Sequence, residues 1–231
     1  MTELNTQNPG LIHTIAVAGG TGKEGKGLAY RWALAGYQII IGSRAKEKAD
    51  AAAAELNDKL QGKAQVQGMI NSDAAAAADL IVLTVPYQAH RDTLIGLKDA
   101  LENKILVDVT VPLVPPKVTK VQMPPAGSAA QEAFEVVGDK TKVCAAFQNI
   151  SYEHLLNDEE ITCDVLVTGS DKESRSAVLR LVSDAGMVGW DAGPIENSVV
   201  LEGLTSILIG INKQFNSTSA GIQITGVPRP E

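Results

Sequence analysis

The sequence predicts an α/β fold: a doubly wound parallel sheet followed by a smaller C-terminal α/β domain. Three observations predict it. Short β-branched runs alternate with helix-forming stretches from Thr14 to Ala146, the rhythm of βαβ units. A glycine cluster, Gly19 to Gly27, follows the first of those runs directly. After a proline-rich stretch the rhythm changes and starts again on a smaller scale.

Thr14–Ala18 reads as a buried strand, and Gly25–Leu34 as a helix stopped by Gly36. Gln38–Ile41 is a second strand ending at Gly42, and Ala45–Leu60, rich in Ala, Lys and Glu, is a helix. Ala64–Met69 is a weaker third strand, and Ala74–Ala78 is helical. Leu80–Thr84 is a fourth strand, stopped by Val85-Pro86; Leu94–Leu101 is helical and Ile105–Val109 is a fifth strand. Right-handed crossovers leave a doubly wound topology as the simplest arrangement. Val111–Pro125 holds five of the ten prolines and reads as an extended connection. Ser128, with Gln131 three residues on, caps a helix to Val137, and Lys142–Ala146 is a sixth strand that closes the sheet.

From about Ile150 the sequence predicts a second unit: strand Asp164–Thr168, helix Lys172–Ala185 and a long helix Ser198–Phe215. That last helix is apolar on most faces, which places it between domains or between subunits. The expected division is a polar tail over 1–13, a dinucleotide-binding domain over 14–149 and a small acceptor and dimerisation domain over 150–231.

Charge and composition exclude several function classes. In 231 residues, 20 Lys and Arg stand against 27 Asp and Glu, a net charge of −7. No run of Lys or Arg offers a phosphate-tracking groove, so neither nucleic acid nor an anionic membrane is an expected partner. Cys144 and Cys163 make no disulfide framework and read as buried thiols. The tail MTELNTQNPGLIH lacks an apolar signal core, and the longest apolar stretch, Val199–Ile211, is interrupted by Glu202. The expected compartment is the cytoplasm.

The chemistry concentrates in the glycine cluster. Gly20-Thr21-Gly22-Lys23-Glu24-Gly25 fits GxGxxG, follows a strand and opens a helix, the context that makes the pattern a dinucleotide-binding (Rossmann) fingerprint. Glycines permit the tight turn and let a pyrophosphate approach the free N–H groups of the helix end. At the end of the second strand an NAD site places a carboxylate, whereas here stand Gly42-Ser43-Arg44. A hydroxyl and a guanidinium fork suit a 2′-phosphate, so NADP(H) is the expected cofactor. Lys46, close behind, reads as part of a solvated helix face.

Gly19-x-x-Gly22-x-x-Gly25 also has the spacing of short-chain dehydrogenases, but these need Tyr four residues before Lys. Tyr30, Tyr37, Tyr87 and Tyr152 are followed at that spacing by Leu34, Ile41, Arg91 and Leu156. Neither is a proton donor evident elsewhere. His13 precedes the first strand, at the wrong end of the sheet, and His90 and His154 read as solvated residues of loops or surface helices. No metal-ligand spacing and no GxSxG occurs. Such a protein suits a hydride acceptor that manages its own proton, as a flavin-like ring does.

The residues resemble a known family. Gly19-Gly-Thr-Gly-Lys-Glu-Gly-Lys-Gly27, Gly42-Ser-Arg44, Leu83-Thr-Val-Pro86, Asp191-Ala-Gly-Pro-Ile-Glu-Asn-Ser198 and Leu201-Glu-Gly-Leu-Thr205 are similar to segments of the F420-dependent NADP reductases. The resemblance covers nearly the whole chain after the tail. It implies hydride exchange between NADPH and C5 of the deazaflavin coenzyme F420, no catalytic side chain, no metal, and a homodimer or higher homo-oligomer. It places Gly20, Thr21, Gly22, Lys23 and Glu24 at the pyrophosphate turn, Ser43, Arg44 and Lys48 at the 2′-phosphate, and Val85 beside the nicotinamide. Gln148, Ile150, Tyr152, Thr205 and Ala220 fall in segments bordering the nicotinamide and deazaflavin in the family. Gln148 stands where the family carries His, and Asp108–Pro112 is slightly longer than the family pattern. Both departures lie on the acceptor side, so an ordinary flavin or a ferric chelate, or a dinucleotide sensor without turnover, are the alternative readings.

Overall fold

The computed structural model describes residues 12–157 and 159–230, so the first eleven residues of the expected tail lie outside it. The strands are β1 (Thr14–Ala18), β2 (Gln38–Ser43), β3 (Val66–Ile70), β4 (Leu80–Leu83), β5 (Ile105–Asp108), β6 (Lys142–Ala145), β7 (Asp164–Gly169) and β8 (Val188–Pro194). The helices are α1 (Lys23–Leu34), α2 (Lys46–Leu60), α3 (Asn71–Ala77), α4 (Tyr87–Leu101), α5 (Ala129–Val137), α6 (Tyr152–Leu155), α7 (Lys172–Asp184) and α8 (Ser198–Phe215). All eight strands join one sheet in the order β3-β2-β1-β4-β5-β6-β7-β8.

Strand alternation builds two cores. In β1, Ile15 and Val17 face a layer that holds Leu28 and Trp32 of α1, Leu56 of α2 and Val178 and Leu181 of α7. Ala16 and Ala18 face the other layer, with Ala74 of α3, Leu94 and Leu97 of α4, Ala133 of α5 and Leu201 of α8. Both faces are covered, as parallel pairing through helical crossovers requires. The apolar, β-branched runs of β1, β2 and β4 follow from that two-sided burial.

Several expectations need correction. The sixth strand does not close the sheet. β7 pairs antiparallel with β6, Cys144 opposite Gly169 and Ala145 opposite Thr168, and β8 adds parallel to β7. The C-terminal strands therefore extend the first sheet. β8 itself was not foreseen: Gly189, Asp191, Gly193 and Pro194 are poor strand formers, and the strand exists through its ladder with β7. α4 begins at Tyr87, directly after Pro86 at its N-cap, well before the expected Leu94. Ser43 ends β2 instead of following it. The expected helix over 129–137 is α5, its cap formed by the Ser128 hydroxyl accepting the Gln131 N–H at 3.0 Å. The proline-rich connection over 111–125 holds neither helix nor strand. α8 has the expected bounds; Leu201, Glu202, Ser206 and Leu208 are buried, while Val200, Ile207, Ile211 and Phe215 are exposed.

Candidate functional site

β1 lies between β2 and β4 in the sheet, so the chain reverses its direction of travel there and opens a crevice beyond the strand ends. The glycine turn fills its base. Gly19 has φ of +71°, and a Cβ on it would sit 2.4 Å from Val85 Cγ1, so the loop after β4 closes onto the turn. The Gly19 N–H donates to Asn71 Oδ1 at 3.1 Å, and the Gly20 N–H reaches the carbonyls of Val17 and Gly42. A Cβ on Gly25 would meet Gly20 Cα and Thr84 Oγ1, both at 2.7 Å, so this glycine lets α1 pack close to the strands.

Gly22 differs from its neighbours: a Cβ there would meet nothing within 4 Å. It is the N-cap of α1, and no side chain caps that helix. The first N–H groups and the positive end of α1 are thus open to an anion arriving over Gly22. Thr21 is half-buried and Lys23 exposed beside it. Glu24 has one enclosed carboxylate oxygen without a partner, and burial pushes its carboxyl up to about 8. Below that pH it is a neutral acid and does not oppose a bound phosphate.

Next to the turn, the ends of β2 and β3, the start of α3 and the flank of α4 enclose a cavity of about 420 Å³. Ser43 and Arg44 line it with Ser72, Gln88 and Thr93. Ser43 is buried and Arg44 exposed, so the cavity offers an enclosed hydroxyl and a solvent-facing guanidinium. Lys48 is exposed on the first turn of α2 and is not part of the lining. Lys46 pairs with Asp50 at 2.6 Å on a solvated face, as expected. Asn71 and Ser72 were not foreseen. In the sequence they signal only a helix start after a weak strand.

The acceptor-side residues come from three distant segments. Gln148 is buried; its Nε2 donates to the Asp108 carbonyl at 2.7 Å, and its Oε1 has no partner. The Thr205 hydroxyl of α8 donates to the Gln148 carbonyl at 2.8 Å, and Asn149 Nδ2 donates to the Leu201 carbonyl. Ile150 is buried and Tyr152 opens α6. The Ala220 N–H is held by Asn212 Oδ1 at 2.9 Å. Tyr152 links this group to the glycine turn: Lys23 Nζ lies 4.6 Å from its ring centroid and 3.5 Å from its hydroxyl. Arg31 of α1 pins α6 from behind, donating to the carbonyls of His154, Leu155, Asn157 and Glu159.

His90 requires a correction. It is no solvated residue: it is fully buried on α4, with Nε2 2.6 Å from Asp108 Oδ2. Asp108, at the end of β5, also accepts the Thr110 N–H. Glu132 lies 3.9 Å from His90 Nδ1 and accepts the Tyr87 hydroxyl. Burial disfavours a charge on the imidazole, but the Asp108 carboxylate outweighs it and holds His90 above the usual histidine value. Glu202 of α8 is buried nearby, accepting the N–H groups of Ala129 and Ala130 at the start of α5, and burial pushes it up to about 8. His154 is half-buried on α6. Cys144 and Cys163 are both free and buried.

The sequence and the fold are similar to those of known proteins. Residues 14–112 match the family described as NADP oxidoreductase, coenzyme F420-dependent. The chain is 39% identical over 221 residues to the F420-dependent NADP reductase of Methanocaldococcus jannaschii, covering 92% of this chain and 98% of that protein. It is 38% identical over 229 residues to the F420-dependent NADP reductase of Methanothermobacter thermautotrophicus, covering 96% and 98%. Among solved structures, a protein of Arthrobacter sp. FB24 superposes with a TM-score of 0.77 at 22% identity, over 93% of this chain and 100% of that one, and shares its fold. By its end-to-end likeness to these reductases, the chain belongs to the F420-dependent NADP reductase family.

Proposed function

We propose that this chain transfers hydride between NADPH and the deazaflavin coenzyme F420. The observation that carries the reading is the 38–39% identity to reductases of that name over almost their full length. The residues present fit the dinucleotide. The uncapped start of α1 and the open face of Gly22 receive its pyrophosphate, with Gly20, Thr21 and Lys23 around it and Glu24 kept neutral. Ser43 and Arg44 hold the 2′-phosphate in their cavity, and exposed Lys48, on the first turn of α2 outside the lining, adds positive charge to that end of the molecule. Val85, fixed against Gly19, backs the nicotinamide, while Gln148, Ile150, Tyr152, Thr205 and Ala220 border the acceptor. Bound NADPH supplies the hydride from its nicotinamide C4, and the deazaflavin ring accepts it at C5.

The protein's contribution is alignment. Val85, partly buried beside the turn, offers apolar surface that excludes water, and the Lys23–Tyr152 contact ties the two halves of the site together. Holding reacting atoms about 3–3.5 Å apart supplies a large rate factor without a side-chain acid. The exposed stripe Val200, Ile207, Ile211 and Phe215 on α8 supports a homodimer. The two free thiols suit a reducing compartment, the cytoplasm.

The test is a stopped-flow reaction with NADPH deuterated at C4. Label recovered at deazaflavin C5 is the expected result. Reaction only with FMN or ferric chelates would replace the acceptor, and binding without turnover would make the chain a sensor.

A further inference from the structure

Beyond α8 the chain runs on without regular structure to residue 230, and its course is governed by one buried carboxylate. Asp164, the first residue of β7, is fully buried. An isolated carboxylate there would be too costly to keep charged, so its partners matter. Oδ2 accepts the Trp190 indole N–H at 2.9 Å and the Ile224 N–H at 2.7 Å. Oδ1 accepts the Arg229 guanidinium, and the Asp164 N–H donates to the Ile222 carbonyl at 2.8 Å. Three of these four bonds go to the C-terminal strap, and Arg229 is the one cation paired with Asp164 among the described residues.

The other end of the strap touches the acceptor side. The Ser151 hydroxyl donates to the Thr218 carbonyl at 2.8 Å, and the Ala220 N–H is held by Asn212. Gly221 is pressed onto Cys163, where a Cβ would lie 2.7 Å from the Cys163 Cβ. The strap therefore passes the segment Gln148–Tyr152 and is latched beyond it. A strand of backbone with few apolar contacts of its own opens at low free-energy cost unless it is tied at both ends.

We infer that Asp164 and Arg229 form a latch that positions the strap, and with it Ala220, as one wall of the acceptor pocket. Both are positioning residues for acceptor affinity and not for dinucleotide binding. The inference rests on the reading that Gln148–Tyr152 and Ala220 border the acceptor. Arg229 is half exposed, and its guanidinium bonds to Asp164 and to none of the residues assigned to the dinucleotide, so its replacement spares the NADPH half of the site.

The experiment compares wild type, Arg229→Met and Arg229→Lys with NADPH and the deazaflavin. In Arg229→Met the KM for the deazaflavin rises about tenfold, the loss of one charge-assisted bond, while kcat and the Kd for NADPH stay within about twofold. Arg229→Lys recovers most of the affinity. Amide exchange at Ala220–Ile224 accelerates in Arg229→Met and is restored in Arg229→Lys. An unchanged deazaflavin KM in Arg229→Met with an active wild type overturns the latch alone, as does an equal loss of NADPH affinity. A wild type that binds NADPH but does not react with the deazaflavin overturns the proposed function, and the latch with it.

Discussion

Glu24 and His90 both bind a proton more tightly in the folded chain than in the unfolded one, for opposite physical reasons. Burial alone lifts Glu24 from 4.5 to about 8. Its contribution to stability is therefore complete below about pH 4.5 and is lost as pH rises through about 8. Glu24→Gln removes that slope, which urea titrations at several pH values will show. On the proposed placement of the pyrophosphate at the start of α1, Glu24 becomes a carboxylate beside it above about pH 8, so the NADPH Kd is expected to rise several-fold between pH 7 and 9 in wild type and to stay flat in Glu24→Gln. A flat wild-type profile would refute this. His90 is raised because Asp108 and its neighbours outweigh the burial. Its stability contribution is full below pH 6.5 and fades as pH climbs through its higher folded value. His90→Ala leaves buried Asp108 with the Thr110 N–H but without its ion partner, so the unfolding free energy drops by about 3–5 kcal/mol; a drop below about 1 kcal/mol would count against the pair. Neither environment was legible in the sequence, because both depend on what distant elements place around the side chain.

At the scale of elements, legibility followed locality. α5 was readable because its cap, Ser128 and Gln131, lies within four residues, and α8 because its apolar pattern is long. β8 and the start of α4 were not: one is a strand only through β7, and the other begins behind a proline that reads as a stop. The glycine turn was legible as a motif, whereas its fastening by Asn71 and Val85 was not, since both arrive from other crossovers. The end of β2 carries the next expectation. Arg44 faces the cavity beside buried Ser43, so Arg44→Ala raises the NADPH Kd about tenfold and leaves that for NADH unchanged. Isothermal titration with both dinucleotides decides it, and equal losses for the two would refute it.

For the whole molecule, α8 is the element with two roles. Its inner side caps α5 through Glu202 and holds Gln148 through Thr205, while its outer side leaves Val200, Ile207, Ile211 and Phe215 in solvent. An apolar stripe of that length on an 18-residue helix predicts a dimer in solution. Ile207→Glu is expected to shift sedimentation at micromolar concentration from dimer to monomer without loss of helicity. A monomeric wild type would end the idea.

The antiparallel step from β6 to β7 has a mechanical consequence. Within the sheet, a load between β1 and β8 crosses β4, β5, β6 and β7 in turn. The β4–β5 and β5–β6 ladders each run over four residue pairs, whereas β6 meets β7 over Cys144–Gly169 and Ala145–Thr168 only. Pulled apart between β1 and β8, the sheet has its fuse at this seam. It would shed β7 and β8 as one piece, and the parallel part from β3 to β6, with its longer ladders, would yield only at higher force.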